Sequence, residues 1–312
     1  MDIRKPRRLQ LGDCIGLITP ASAVADAVRI EQGTKYLESL GYRVVVGEHV
    51  NKLRGYLAGT DDERAADINA MFANPDVSAI FCLRGGYGTP RLLPLINYRM
   101  IARNPKIFVG YSDITALQLA LWRKCGLVTF QGPMAAVDFA GEVDAFAQEW
   151  FWKIVTSPTA IGRLDTEKGP TITLRPGVAR GRLLGGNFAL LNALLGTRYQ
   201  PDFTGAILFL EDTDEEPYRI DRMFTHLRHA SVLEKCKALL LGQFTNSEAA
   251  DPTLPSLTLG EVLEDAASWT TVPVLSNIPF GHIPRKLTMP VGVHVRVDAG
   301  ARIVEILEGA VR

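Results

Sequence analysis

Through its first half this chain alternates short β-rich runs with helical stretches, and that rhythm limits the fold more than any other feature. Residues 15–19 read as a strand, and residues 25–40 as an amphipathic helix closed by Gly41. Residues 44–46 give a second strand. Thr60 and Glu63 then form a capping box that opens a helix running to about Phe72. A third strand over 77–83 ends in Arg84-Gly85-Gly86-Tyr87-Gly88, after which Thr89-Pro90 reads as an N-cap with proline at the first helical position. A fourth strand spans 107–110, and a helix follows over 114–124. Strands joined by helical crossovers pair in parallel, so the rhythm predicts an α/β protein whose parallel sheet carries helices on its faces.

Between about residues 140 and 185 the rhythm lapses. A helical piece with Trp150 and Trp152 gives way to a polar stretch containing Gly169-Pro170 and Pro176-Gly177. This reads as a connection, with one domain over 1–150, a linker over 151–180 and a second α/β domain over 181–312. A chain of 312 residues exceeds one typical core, so its length allows one large or two moderate domains. In the second half, 188–195, 217–227 and 259–267 read as helices, and 206–210, 238–241 and 272–275 as strands. Val291, Val293, Val295 and Val297 are expected on one face of a single strand, with 303–307 as its neighbour.

Charge narrows the function. Lys plus Arg and Asp plus Glu both number 34, so the formal net charge is zero. Binding to nucleic acid draws on a basic excess, and none is present. The opening Arg4-Lys5-Pro6-Arg7-Arg8 is short and reads as a solvated tail. No apolar run approaches the roughly 20 residues of a membrane span. The start has charges but lacks the apolar centre of a secretory signal. Cys14, Cys82, Cys125 and Cys236 lie beside apolar runs without a C-x-x-C pair, and read as reduced core residues of a cytoplasmic protein.

In open α/β sheets, ligands bind at the carboxyl ends of strands. One such end is Gly110-Tyr111-Ser112-Asp113, a strand-to-helix turn that would expose a hydroxyl as a nucleophile elbow does. The fifth position is Ile114, so the pattern is not G-x-S-x-G. From this tetrapeptide alone, a helix cap by Ser112 or Asp113 is the simpler reading. The other end is Arg84-Gly85-Gly86-Tyr87-Gly88, whose glycines allow close approach of backbone to a ligand. It lacks the spacing of a dinucleotide loop or a P-loop, and a plain turn accounts for it as well. Its amides could otherwise supply half of an oxyanion hole, with Arg84 free for a carboxylate.

A serine nucleophile needs a base within reach. His49 follows a strand with no carboxylate pattern around it. His226 and His229 share a helix with Arg222 and Arg228, without zinc-site spacing. His294 alternates with the valines on a wet face. His282, held in Pro279-Phe280-Gly281-His282 ahead of Pro284, is the histidine placed to be aimed. A carboxylate must fix its tautomer. The apolar run over 207–210 ends in Glu211 and Asp212, which alternate to opposite sides, so one can face a cleft while the other caps the next helix. Local pattern does not choose between them.

Taken together, Gly110-Tyr111-Ser112-Asp113-Ile114-Thr115, Leu210-Glu211-Asp212 with Tyr218-Arg219-Ile220-Asp221-Arg222, and Gly281-His282 with Pro290-Val291-Gly292 resemble the LD-carboxypeptidases, serine peptidases that trim murein tetrapeptides. The likeness runs through essentially the whole chain and includes the glycine turn. It implies a Rossmann-like N-terminal domain with a smaller α/β C-terminal domain and the site between them. It also implies Ser112 as nucleophile, His282 as base and Glu211 as its orienting carboxylate, with Gly86 and Asp113 giving the oxyanion amides. Arg84 and Gly85 would contact substrate, and Arg84 is expected to hold a substrate carboxylate. The family implies a homodimer with no metal or organic cofactor, acting on the bond between meso-diaminopimelate and terminal D-alanine. Within the same family, some members cleave peptidyl or aminoacyl nucleotides and confer immunity to an antibiotic peptide. No aromatic-rich insertion near Glu211 points that way. A non-catalytic binder holding a small anion on the glycine turn is the alternative from another class.

Overall fold

A computed structural model describes residues 2–165 and 171–312. The expected Gly169-Pro170 turn lies outside the described residues. Two sheets organise the chain. The first takes β1 (Cys14–Ile18), β2 (Arg43–Val46), β3 (Val77–Cys82), β4 (Ile107–Gly110) and β5 (Thr129–Gln131). The second takes β6 (Gly162–Arg163), β7 (Ile172–Arg175), β8 (Val178–Asn187), β9 (Ala206–Thr213), β10 (Ala238–Thr245) and β11 (Val274–Ser276). Beyond them lie β12 (Met289–Val291), β13 (His294–Asp298) and β14 (Ile303–Ile306).

In the first sheet the order is β12-β5-β4-β3-β1-β2, parallel except where β12 runs against β5. Strands β1, β3, β4 and β5 are buried almost throughout, as strands covered on both faces must be. The capping box of Thr60 and Glu63 opens the Asp61–Ala73 helix as its sequence requires. Thr89, however, is no N-cap. The segment Thr89–Leu95 is a 3-10 helix capped by Gly88, and the Thr89 side chain is drawn inward instead.

In the second sheet the order is β6-β14-β13-β8-β9-β10-β11-β7, with a parallel centre from β8 to β11 and antiparallel flanks. The stretch expected as a linker is largely structured. Its first residues finish the Ala145–Thr156 helix, which buries Trp150, Phe151, Ile154 and Val155, and its later ones supply β6, β7 and the start of β8. These flanking strands are short and only half-buried, with polar residues among the apolar ones, so their composition imitates a loop.

The C-terminal valines also depart from expectation. Val291, Val293, Val295 and Val297 are all fully buried, but they do not form one strand. Gly292, at φ +99°, turns the chain so that β12 joins the first sheet and β13 the second. The basic start is not a free tail either. Arg4 donates to the carbonyls of Ala102 and Cys125 and bridges to Leu127, while Lys5 pairs with Glu308 and Arg7 with Asp13. All four cysteines are buried and free. Among the described residues, no helix is long and apolar enough to cross a membrane.

Candidate active site

The carboxyl ends of β3, β4, β9 and β11 converge, as open α/β sheets dictate. After β4 the chain turns sharply. Tyr111 is extended, Ser112 sits at φ +63°, and a 3-10 turn over Ser112–Ile114 leads into the Thr115–Cys125 helix. A left-handed serine is uncommon and costs on the order of 1 kcal/mol or more, a strain typical of nucleophile elbows. The helix behind it is pinned. Gln118 Nε2 donates to the carbonyls of Gly110 and Phe130, and Gln131 Nε2 donates to Thr115 Oγ1.

The glycine turn after β3 packs directly against this serine. A Cβ at Gly85 would lie 2.9 Å from Ser112 Cβ and 3.1 Å from its Oγ, so no larger residue fits. Gly86 adopts φ +114°. The side chain of Asp113 faces away from the cleft and accepts from the Thr89 amide at 2.8 Å, while Thr89 Oγ1 donates to the Asp113 carbonyl at 2.5 Å. These bonds tie the glycine turn to the serine turn. Burial pushes the Asp113 carboxyl upward, against the lowering effect of the Thr89 hydrogen bonds. Local pattern hid this role of Thr89, because a threonine before proline looks like an ordinary cap.

From the second sheet comes the other half. Glu211, in β9, is 1% exposed, and its Oε2 lies 2.7 Å from His282 Nδ1. A carboxylate only accepts, so Nδ1 carries a proton and Nε2 of the neutral ring is left as the acceptor. Burial depresses the His282 pKa, but the hydrogen bond and charge of Glu211 more than offset it, and the net shift is upward from 6.5. Gly281, at φ +121°, lets the loop come this close: a Cβ there would sit 3.0 Å from Glu211 Oε2. Asp212 points the opposite way. It accepts from Asn187 Nδ2 and the Ala189 amide, both at 2.8 Å, and from the Thr213 amide at 2.9 Å. It therefore caps the earlier Phe188–Leu194 helix, not the one that follows it in sequence. Burial and the neighbouring Glu211 charge push it up to about 6.

Ser112 and His282 line one cavity of about 370 Å³, together with Arg84, Gly85, Gly86 and Arg29. A second lobe of about 340 Å³ shares Tyr111, Val137 and His282 with it and carries Glu142, Asp144 and Lys286. Arg84 is half-buried and donates to the Ala23 carbonyl at 3.1 Å. The remaining histidines lie elsewhere. His49 has a carboxylate partner that local sequence hid, Asp67 at 2.8 Å, brought from the Asp61–Ala73 helix. His226 pairs with Asn192, and His294 is exposed. Among the described residues, no three His, Cys, Asp or Glu side chains converge as a metal would require. The arrangement is suited to acyl transfer: a strained hydroxyl, a carboxylate-oriented imidazole and backbone amides around one cleft.

Comparison with known proteins finds matches in both halves of the chain. Residues 15–132 match the model of the LD-carboxypeptidase N-terminal domain, and residues 180–297 that of the LD-carboxypeptidase C-terminal domain. A probable murein peptide carboxypeptidase of Bacillus subtilis is 37% identical over 305 residues, covering 98% of this chain and 95% of that protein. The structure of a muramoyltetrapeptide carboxypeptidase from Oxalobacter formigenes superposes with a TM-score of 0.82 at 34% identity, covering 94% of this chain and 97% of the other. That of the microcin C7 self immunity protein MccF in its wild type apo state gives 0.92 at 28% identity, covering 99% and 100%.

Proposed function

This chain belongs to the LD-carboxypeptidase family, and from that premise we propose that it releases the terminal D-alanine of murein tetrapeptides through a Ser112–His282–Glu211 triad. The observation that carries the reading is the 2.7 Å bond from His282 Nδ1 to Glu211, on an imidazole that shares its cavity with Ser112. His282 Nε2 takes the Ser112 proton as Oγ attacks the carbonyl. The amides of Gly86 and Asp113 receive the oxyanion, each worth roughly 3 to 4 kcal/mol in such sites. The C–N bond breaks and D-alanine leaves with the proton from His282. Water, deprotonated by the same base, then releases the acyl group and restores the serine.

The cleft suits a small, zwitterionic peptide end. Arg29 and Arg84 line the lobe beside Ser112, and we assign Arg84 to a substrate carboxylate. Apart from His282, Tyr111 and Phe139 are the aromatic side chains lining the two lobes among the described residues. Both are buried, so neither opens a face for stacking on a nucleobase. The reading includes a homodimer working in the cytoplasm without metal or organic cofactor. Sedimentation equilibrium checks the dimer.

D-alanine release from murein tetrapeptide by the wild type, beside Ser112→Ala, tests the proposal. The serine variant is expected to lose on the order of a million-fold in kcat. Equal release by both proteins would remove the triad. A second reading, hydrolysis of a peptidyl or aminoacyl nucleotide, is favoured by the higher TM-score to the microcin immunity protein. Turnover of such a conjugate with no D-alanine release would establish it instead.

A further inference from the structure

Lys286 is 4% exposed, a rare place for an ammonium. It lies in the loop that presents His282, and its Nζ is 2.6 Å from Asp138 Oδ1, contributed by the segment that follows β5. The same Nζ sits 4.0 Å from the centroid of the Tyr111 ring. Tyr111 in turn meets the His282 ring edge-on, with centroids 5.0 Å apart at 74°. Tyr111 is also the residue immediately before the strained Ser112. Lys286, Tyr111 and Glu211 line one small cavity of about 10 Å³, toward which the second sheet brings its carboxylate. Glu211 Oε1 is buried without a hydrogen-bond partner, while its Oε2 is the atom that meets His282.

We infer that Lys286 is a positioning residue: clamped by Asp138 and seated on Tyr111, it fixes the His282 loop against the serine turn and keeps a positive charge beside the base. The inference rests on the triad reading above. A buried cation repays its desolvation only with a close partner and a second favourable contact, and here both belong to the first sheet's side of the cleft. The clamp thus crosses the cleft at the level of the chemistry. Its electrostatic role follows from what faces His282. Glu211 and Asp212 of β9 favour the imidazolium, whereas Lys286 opposes it. Asp26, Arg29 and Arg84 in one lobe, and Glu142, Asp144 and Asp138 in the other, complete the charged surroundings. Without Lys286 the base would hold its proton to higher pH, and less of it would be competent near neutrality.

The test is the pH dependence of Ser112 phosphonylation by a fluorophosphonate, a readout that does not depend on the natural substrate. In Lys286→Met the half-point of the acid limb is expected to move to higher pH, with the rate at neutral pH lower by up to roughly a hundred-fold. Lys286→Arg should keep the wild-type half-point. Asp138→Asn, which removes a negative charge and leaves the ammonium, should move it to lower pH, and this variant serves if Lys286→Met does not fold. A folded variant with reduced rate and an unmoved half-point would make Lys286 a packing residue and overturn the inference. Failure of the wild type to label at Ser112 would instead overturn the triad reading itself.

Discussion

Ser112 at φ +63° and Gly85 behind it are one device seen from two sides. The left-handed turn lifts the hydroxyl toward the cleft, and the missing Cβ leaves room for it. Glycine density was visible in the sequence, but its partner was not, since Gly85 and Ser112 meet only when β3 and β4 pair. At the same scale, period-two alternation required Glu211 and Asp212 to diverge without saying which would face the cleft. Glu211 meets His282, and Asp212 turns to backbone amides. The upward shift at His282 sets a pH dependence. A general base acts when neutral, so kcat/KM should rise with pH through an apparent pKa above 6.5. In Glu211→Gln the hydrogen bond and charge that raise it are lost while burial remains, so the limb should fall below the wild-type position. Activity should drop on the order of ten-thousand-fold, as when a triad carboxylate is neutralised. A pH–rate profile of both proteins checks the sign.

Elements whose ends are written in local chemistry mostly formed as read, the Thr89-Pro90 cap being the exception. The Thr60–Glu63 capping box opens its helix, and Pro217 starts another. Elements whose identity depends on partners did not. The segments at 162–163 and 172–175 look like loop because their strands lie on the flanks of a sheet, and the valine ladder over 291–297 conceals a change of sheet. The Phe188–Leu194 helix has a local N-cap in Asn187, whose Oδ1 accepts from the Leu190 amide, but it also takes a second cap that no local pattern supplies, since Asp212 reaches the Ala189 amide from β9. Asp212→Ala should remove that cap and leave the buried Asn187 amide without its acceptor. The expected cost is about 2 kcal/mol or more, read as a lowered denaturation midpoint. Thr60→Ala, which loses a half-buried box that lines neither lobe of the cleft, should cost about 1 kcal/mol with kcat unchanged.

Across the whole molecule, the two sheets are joined where the chemistry is. Thr115 Oγ1, three residues beyond Ser112, accepts from the Asn187 amide at 3.0 Å, and Asn187 pairs in register with Glu211. Gly292 makes the second join. Its φ of +99° suits glycine, and a Cβ there would stand 2.3 Å from the Trp122 ring. Gly292→Ala is therefore expected to lose about 2 kcal/mol or more in chemical denaturation, by strain together with overpacking. By itself the sequence determined the α/β class and most helix starts, because propensity, capping and period act over a few neighbours, while the serine, histidine and carboxylate were read through the family resemblance. The tertiary structure alone decided which carboxylate meets His282, which sheet each C-terminal strand joins and where Lys286 sits. Those outcomes depend on contacts between residues 71 to 162 positions apart, and they form only once both sheets have assembled.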